Sequence, residues 1–348
     1  MRKVLLRIAI FICVMPAIAR GHDEAPGAPA IFGGRSLVDA HNAYPEGGKW
    51  RDRISRALAI DQVPVVIEQD IAFAPRNEAH LQSVVSHEAT VSGSEPSLEE
   101  HFFDRVRPIM ERALAANQKD RWPVVVLHLD FKTNEREHHR AVWDLLRRHQ
   151  AWLTTARADA DPMTISTLKP GPLLVLTENG AGQEKDFSEW AAASGSFLLF
   201  GSIPGPAVKP ADDPAERARN LRRAAPHELI PTMATSYRRW ANFSWAVVED
   251  AGQPDAGDWT SAEQERLEAI VNYAHQQRLL IRFYTLNGHA AAAGKGWSAS
   301  YNFGSLDAVR LRWRAAINAR VDLIATDQYE ALAAQLRTAT PAAARPSP

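Results

Sequence analysis

The chain has 348 residues, 40 Lys and Arg against 41 Asp and Glu, and a single cysteine. A formal net charge of −1 excludes the basic surface that counterion-driven nucleic-acid binding requires, and one cysteine excludes a disulfide framework or a thiolate zinc cluster. Hydrophobic residues at 45% and charged residues at 23% are globular values, not those of a disordered or fibrous chain; the length suits about two average domains or one large α/β barrel.

Residues 1–19, MRKVLLRIAIFICVMPAIA, read as a secretory signal peptide. Arg2 and Lys3 begin it, an apolar stretch follows, and Ala17-Ile18-Ala19 fits a small-x-small cleavage site. Arg7 interrupts the stretch, which is shorter than the roughly 20 apolar residues of a membrane span. Cleavage removes Arg2, Lys3, Arg7 and Cys13, so the net charge of −1 becomes −4 in a secreted or periplasmic chain without cysteine. Residues 338–348, TATPAAARPSP, are rich in Pro and Ala and read as a disordered tail.

Between these ends lie eight short apolar runs: SLVDAH (36–41), VVIEQDI (65–71), VVVLHLDF (124–131), LLVLTEN (173–179), SFLLFGS (196–202), LIPTMATS (229–236), LLIRFYTLN (279–287) and VDLIATDQ (321–328). Amphipathic stretches such as EREHHRAVWDLLRRHQAWL and SAEQERLEAIVNYAHQQRL separate most of them, with apolar residues every three or four positions. Strands alternating with helices imply a parallel sheet. Eight evenly paced strands without a second domain favour a single (β/α)8 TIM barrel with loop insertions over residues 30–337, ahead of a doubly wound sheet. No glycine-rich nucleotide-binding motif and no G-x-S-x-G elbow accompany them.

Charged residues gather at the ends of these runs, where a barrel builds its active site. His41 and Asn42 close the first. Glu68 and Asp70, two apart on the second, share one face, and Asp130 and Lys132 close the third with the same spacing. The stretch Ser-Val-Val-Ser-His87-Glu88 between the second and third delivers another histidine. Two inward carboxylates on one strand repel each other unless a cation separates them. One divalent cation, Mg2+ or Ca2+, bound by Glu68, Asp70 and Asp130 meets that need with oxygen donors alone. His41 and His87 then remain for acid–base chemistry and Lys132 for an anion, which together suit phosphodiester cleavage. Blander readings stand beside each: a hydrogen-bonded structural His41, a solvated Glu-x-Asp edge, a surface Asp–Lys pair. His128 has the parity of Asp130 but reads as a buried, satisfied histidine. His22, His101, His138 and His139 read as solvent-facing.

The segments A-His41-Asn42-A-Tyr44-Pro45, I-Glu68-Q-Asp70-I, V-V-S-His87-Glu88, L-Asp130-F-Lys132-T and VDLIATDQYEAL together resemble the phosphatidylinositol-phospholipase-C-like phosphodiesterase superfamily, over roughly residues 36–335. That superfamily includes glycerophosphodiester phosphodiesterases and the sphingomyelinase D type of phospholipase D. The resemblance implies two catalytic histidines (His41, His87), three metal-binding carboxylates (Glu68, Asp70, Asp130) and a phosphate contact (Lys132), with Asn42 and Tyr284 on the substrate side. Two positions depart from the glycerophosphodiesterase pattern: Asn42-Ala43 stands for Arg-Gly, which removes one phosphate contact, and Glu88 stands for Asp.

The expectation is therefore an exported metal-dependent phosphodiesterase, monomeric, acting on a glycerophosphodiester or a phospholipid headgroup and not on nucleic acid. The alternative from another class is a catalytically silent barrel that binds a phosphorylated ligand or an envelope component. In the loop 288–305, Trp297, Tyr301 and Phe303 are expected either to make a peripheral membrane or headgroup contact or to pack on the barrel top. Arg217, Arg219, Arg222 and Arg223, with acids nearby, read as a solvated helix.

Overall fold

Parallel strands covered on both faces need apolar side chains on both, so they read as unbroken apolar runs. The computed structural model describes residues 30–339 apart from 47–48, 78–79, 160, 162–163, 209–211, 250–252, 254–255 and 291–301. The expected signal peptide, His22, Trp297, Tyr301 and residues 340–348 of the tail lie outside the described residues. The runs pair as β1 (Leu37–Ala40), β2 (Val65–Asn77), β3 (Val125–Phe131), β4 (Leu173–Thr177), β5 (Phe200–Ser202), β6 (Arg238–Ser244), β7 (Leu280–Tyr284) and β8 (Leu323–Thr326). Each strand lies parallel to the next, and β8 returns to β1 in the register Leu37↔Leu323 to Ala40↔Thr326. The sheet is closed, with helices between its strands: a (β/α)8 TIM barrel.

One expected strand is displaced. Residues 229–236 are not a strand: Leu229 ends the short helix Pro226–Leu229, and Pro231 follows it without the N–H that a ladder needs. The sixth strand is Arg238–Ser244 instead, anchored by the Trp240 indole N–H donating to the Thr177 carbonyl at 3.0 Å. The fifth run also divides. Ser196–Phe197 pairs with Thr155–Arg157 in a small antiparallel sheet, and only Phe200–Ser202 joins the barrel.

Helix starts follow local chemistry. Thr260 and Glu263 form a capping box at the head of Ser261–Gln276, and the Ser305 hydroxyl accepts from the Ala308 N–H to start Leu306–Asn318. Three histidines read as solvent-facing are buried: His101 at 3% exposure, His138 and His139 at 0%. They sit on helical segments whose inner faces they occupy, each with a partner. His139 Nδ1 lies 2.7 Å from Asp186 and His138 Nδ1 lies 2.8 Å from the Thr133 hydroxyl. Among the described residues no helix is long and apolar enough to cross a membrane.

β2 outruns the barrel wall. It continues to Asn77 and returns antiparallel as His80–Val85, with Ile71 opposite Val85. The next residue, Ser86, donates its N–H to the Asp70 carbonyl at 2.9 Å. That bond carries His87 to the same end of the barrel as Asp70.

Candidate functional site

Register assembles the mouth of the barrel. Glu68 lies beside His128 and Asp70 beside Asp130 across β2 and β3, and Asn242 lies beside Arg282 across β6 and β7. Glu68 and Asp70 are each 3% exposed and Arg282 is 1% exposed, so their charges must be met by one another. Arg282 meets three groups at once. Its guanidinium donates to Asp39, to Glu68 Oε1 at 2.9 Å and to Asn242 Oδ1 at 3.1 Å.

Around Glu68 the environment favours charge. Its Oε2 accepts the Asn42 backbone N–H at 2.8 Å and faces His41 Nε2 at 3.6 Å. Burial opposes ionisation, but His41, Arg282 and His128 outweigh it and hold this carboxyl well below the ordinary range. His41 gains in return. Its Nδ1 lies 2.8 Å from Asp327 Oδ1, and although burial disfavours the cation, Glu68 and Asp327 raise its pKa to about 9. At neutral pH His41 is an imidazolium.

Asp70 and Asp130 are placed differently. Lys132 Nζ donates to Asp70 at 2.7 Å and to Asp130 at 2.6 Å, and the Tyr44 hydroxyl lies 2.7 Å from the same Asp70 oxygen. Burial, then the charges of Asp130 and Glu68, push the Asp70 carboxyl up to about 7 in spite of Lys132. Burial and Glu178 push Asp130 up as well. Six carboxylates (Asp39, Glu68, Asp70, Asp130, Glu178, Asp327) share this end of the barrel with Lys132, Arg282, Arg53 and the imidazoles of His41 and His128. Even with both imidazoles charged, negative charge is in excess.

The remaining expected residues sit further out or are turned inward. Asn42 does not reach outward: its amide donates to Asp327 at 3.1 Å and its carbonyl oxygen lies 2.8 Å from the Tyr44 hydroxyl. Tyr284 is half-buried at the end of β7, with the Arg282 guanidinium 5.4 Å from its ring centre. His87 is half-exposed at the rim, its Nδ1 3.2 Å from Glu88.

Two sets of three acidic or imidazole side chains bring ligand atoms within 4.8 Å of one another among the described residues: Glu68–His128–Glu178 and Glu46–His87–Glu88. The expected set of Glu68, Asp70 and Asp130 is not one of them, and Lys132 Nζ bridges its two aspartates. In the first set the imidazole lies between the two acids. Its Nδ1 faces Glu68 at 3.5 Å and its Nε2 faces Glu178 at 3.4 Å, so opposite edges of one ring meet the two acids. Burial and Arg282 lower the His128 pKa, Glu178 and Glu68 raise it, and the net shift is upward.

Arg282, Glu178, Asn242, Asp327 and Tyr44 were not among the expected site residues. Glu178 and Asp327 close apolar runs and obey the strand-end rule; Asn242 lies in the strand that the apolar pattern misplaces.

These shifts set the pH dependence of the metal-free protein. His41, raised from 6.5 to about 9, contributes stability that is fully present below pH 6.5 and lost as pH rises through 9. Asp70, raised from 3.8 to about 7, contributes stability present below pH 3.8 and lost as pH rises through 7. Glu68, lowered from 4.5, works the other way and loses its contribution as pH falls below 4.5. The thermal midpoint is therefore expected to decline from weakly acidic pH towards 9, and Asp70→Asn to flatten the portion below pH 7. A wild-type midpoint that climbs steadily over that interval contradicts this assignment.

No family model matches the chain, and no curated protein matches it. Among solved structures, it is similar to a glycerophosphoryl diester phosphodiesterase from Parabacteroides distasonis, at 13% identity, 88% of each chain covered and a TM-score of 0.40. It is also similar to a dihydropteroate synthase of Burkholderia cenocepacia, at 15% identity over 88% of this chain and 91% of that one, with a TM-score of 0.37. A third is HPPK-DHPS of Plasmodium falciparum, at 9% identity and a TM-score of 0.39, where 87% of this chain covers 46% of the other. The first carries a different enzyme name from the other two, and a shared architecture does not select among them.

Proposed function

We propose that this chain is an exported, metal-dependent phosphodiesterase that acts on a glycerophosphodiester or a phospholipid headgroup. The observation that carries the reading is an imidazolium, His41, beside an acid-rich pocket in which one ammonium, Lys132, serves both Asp70 and Asp130. Burial and mutual repulsion leave those two aspartates short of positive charge, and their donor atoms are all oxygen, which suits Mg2+ or Ca2+. Asp70, Asp130 and Glu68, whose oxygens do not converge within 4.8 Å while Lys132 bridges the aspartates, are the residues that would hold the ion. A bound divalent cation supplies Lewis-acid stabilisation of the charge that develops on the phosphoryl oxygens.

The chain's own groups do the rest. His41, protonated and oriented by Asp327, gives its proton to the leaving oxygen. His87 at the rim takes the proton of the attacking hydroxyl or water, with Glu88 beside its Nδ1 stabilising the imidazolium that forms. Lys132, which bridges Asp70 and Asp130, is the ammonium that would meet a phosphate oxygen. Arg282 fixes Glu68, and Tyr284 borders the substrate.

The test is turnover of a panel of glycerophosphodiesters and phospholipids by the purified chain with Mg2+, with Ca2+ and with chelator. At least one diester should be cleaved with metal and none with chelator, and Asp70→Asn should require more metal. Tight binding of phosphorylated ligands with no cleavage under any condition would establish the silent-barrel alternative. Export is read from the N-terminus of the protein recovered from the producing cell, where processing after Ala19 is the expected result and retention of Met1 the contrary one.

A further inference from the structure

The turn that follows β1 borders a second space. The Ala43 carbonyl accepts from Gln69 Nε2 at 2.8 Å and lies 3.4 Å from His101 Nε2. Next along the turn, Pro45 helps to line a cavity of about 410 Å3 together with Arg51, His101, Arg105 and the segment 92–96. None of the charged residues at the barrel mouth lines it.

Its two acids and two arginines are engaged unequally. Glu95 is consumed by its own loop: it accepts the Ser92 and Gly93 backbone N–H groups and the Ser92 hydroxyl, each at 2.8 Å. Glu100 accepts the Ser97 N–H at 3.2 Å and the Ser97 hydroxyl at 2.7 Å. Arg51 and Arg105 have no carboxylate partner among the described residues. His101, at the buried side of the cavity, adds no charge at neutral pH, because burial, reinforced by Arg105, lowers its pKa to about 4 against the Ala43 hydrogen bond. Two guanidinium groups without an ion-pair partner among the described residues thus line the space, while its two carboxylates, still charged, are turned to donors in their own segments.

We infer that this cavity binds the phosphate group of a small organic phosphomonoester, gripped by Arg51 and Arg105. Two planar, permanently charged forks match the charge and the several oxygens of a phosphate dianion better than a single carboxylate. The volume exceeds that of an inorganic oxyanion and accommodates the organic carrier between Pro45 and Pro96. The inference is independent of the diester reading, since it uses no residue of the barrel mouth.

Calorimetric titration of the full chain with glycerol 3-phosphate tests it, with succinate as the carboxylate control. Glycerol 3-phosphate should bind saturably and succinate at least about tenfold more weakly. Arg51→Gln and Arg105→Gln should each weaken glycerol 3-phosphate about ten- to hundredfold, the loss of a charge-assisted hydrogen bond, with the thermal midpoint unchanged because both side chains are exposed. Lys132→Gln should leave this affinity as it is. Affinity that survives both arginine substitutions, or that disappears with Lys132→Gln alone, moves the anion to the barrel mouth and overturns the site. Equal binding of succinate overturns the phosphate assignment, and no binding by the wild type overturns the whole.

Discussion

Alanine in place of His41 should lower kcat for a cleaved phosphodiester about a hundred- to ten-thousandfold, the usual contribution of a positioned general acid, with KM little changed. The expectation follows from where the proton sits. Asp327 is 2.8 Å from Nδ1 and Glu68 is 3.6 Å from Nε2, and these two acids carry the His41 pKa to about 9 against burial. An acid that is charged at neutral pH can deliver its proton to a leaving oxygen, and its role is made only in the transition state, so the loss belongs in kcat. The same placement predicts that wild-type kcat falls on the alkaline side, as His41 gives up its proton. Asp327 keeps the Asn42 amide at 3.1 Å when the imidazole is removed, so the variant should fold, and circular dichroism checks that. A correctly folded His41→Ala enzyme with wild-type kcat would remove His41 from the mechanism.

The largest effect on stability is expected at Arg282. It is buried, it touches acids from β1 and β2, and it reaches Asn242 on β6. Arg282→Met leaves Asp39 and Glu68 in a low-dielectric interior with their main cation gone, and removing one partner of such a cluster costs about 3–5 kcal/mol. For a chain of this size that lowers the thermal midpoint by on the order of 10 °C. Arg282→Lys should recover only part of the loss, because a single ammonium cannot point at three acceptors on three strands. Thermal unfolding at pH 7 measures both. A loss below about 1 kcal/mol for Arg282→Met would mean that the acids are neutralised by protonation or solvent, and that the cluster holds little of the barrel's top.

The barrel is legible in the sequence where strands are buried on both faces. VVVLHLDF and VDLIATDQ announce themselves because every position must be apolar except those at the mouth. RRWANFS escapes the same reading: it opens with two arginines and carries Asn242, while the apolar LIPTMATS nearby draws attention to a segment broken by Pro231. In the site, Glu68, Asp70, Asp130 and Lys132 are legible because period-two spacing alone puts each pair on one face. Arg282 is not, since its partners are some 200 residues away in the chain and adjoin it only when the barrel closes. His138 and His139 mislead for a related reason. A helix presents one side to the barrel, and imidazoles there are paired by groups such as Asp186 that come from the next helix.

The overrun of β2 gives the two proposed histidines supports of unequal stiffness. His41 is set in the barrel wall, whereas His87 hangs from the end of a hairpin that crosses back beside Ile71. The part of that hairpin beyond Ile71↔Val85 lies outside the parallel ladder, tied to the rest of the chain by the Val84↔Ser97 bridge and by the Phe73 N–H donating to the Thr133 hydroxyl at 2.9 Å. Residues can be added or removed at its tip without shifting the register of any barrel strand. Because Val85 and Ser86 are pinned to Ile71 and Asp70, the place of His87 at the rim is held by the base of the hairpin and stays the same whatever the length of its tip.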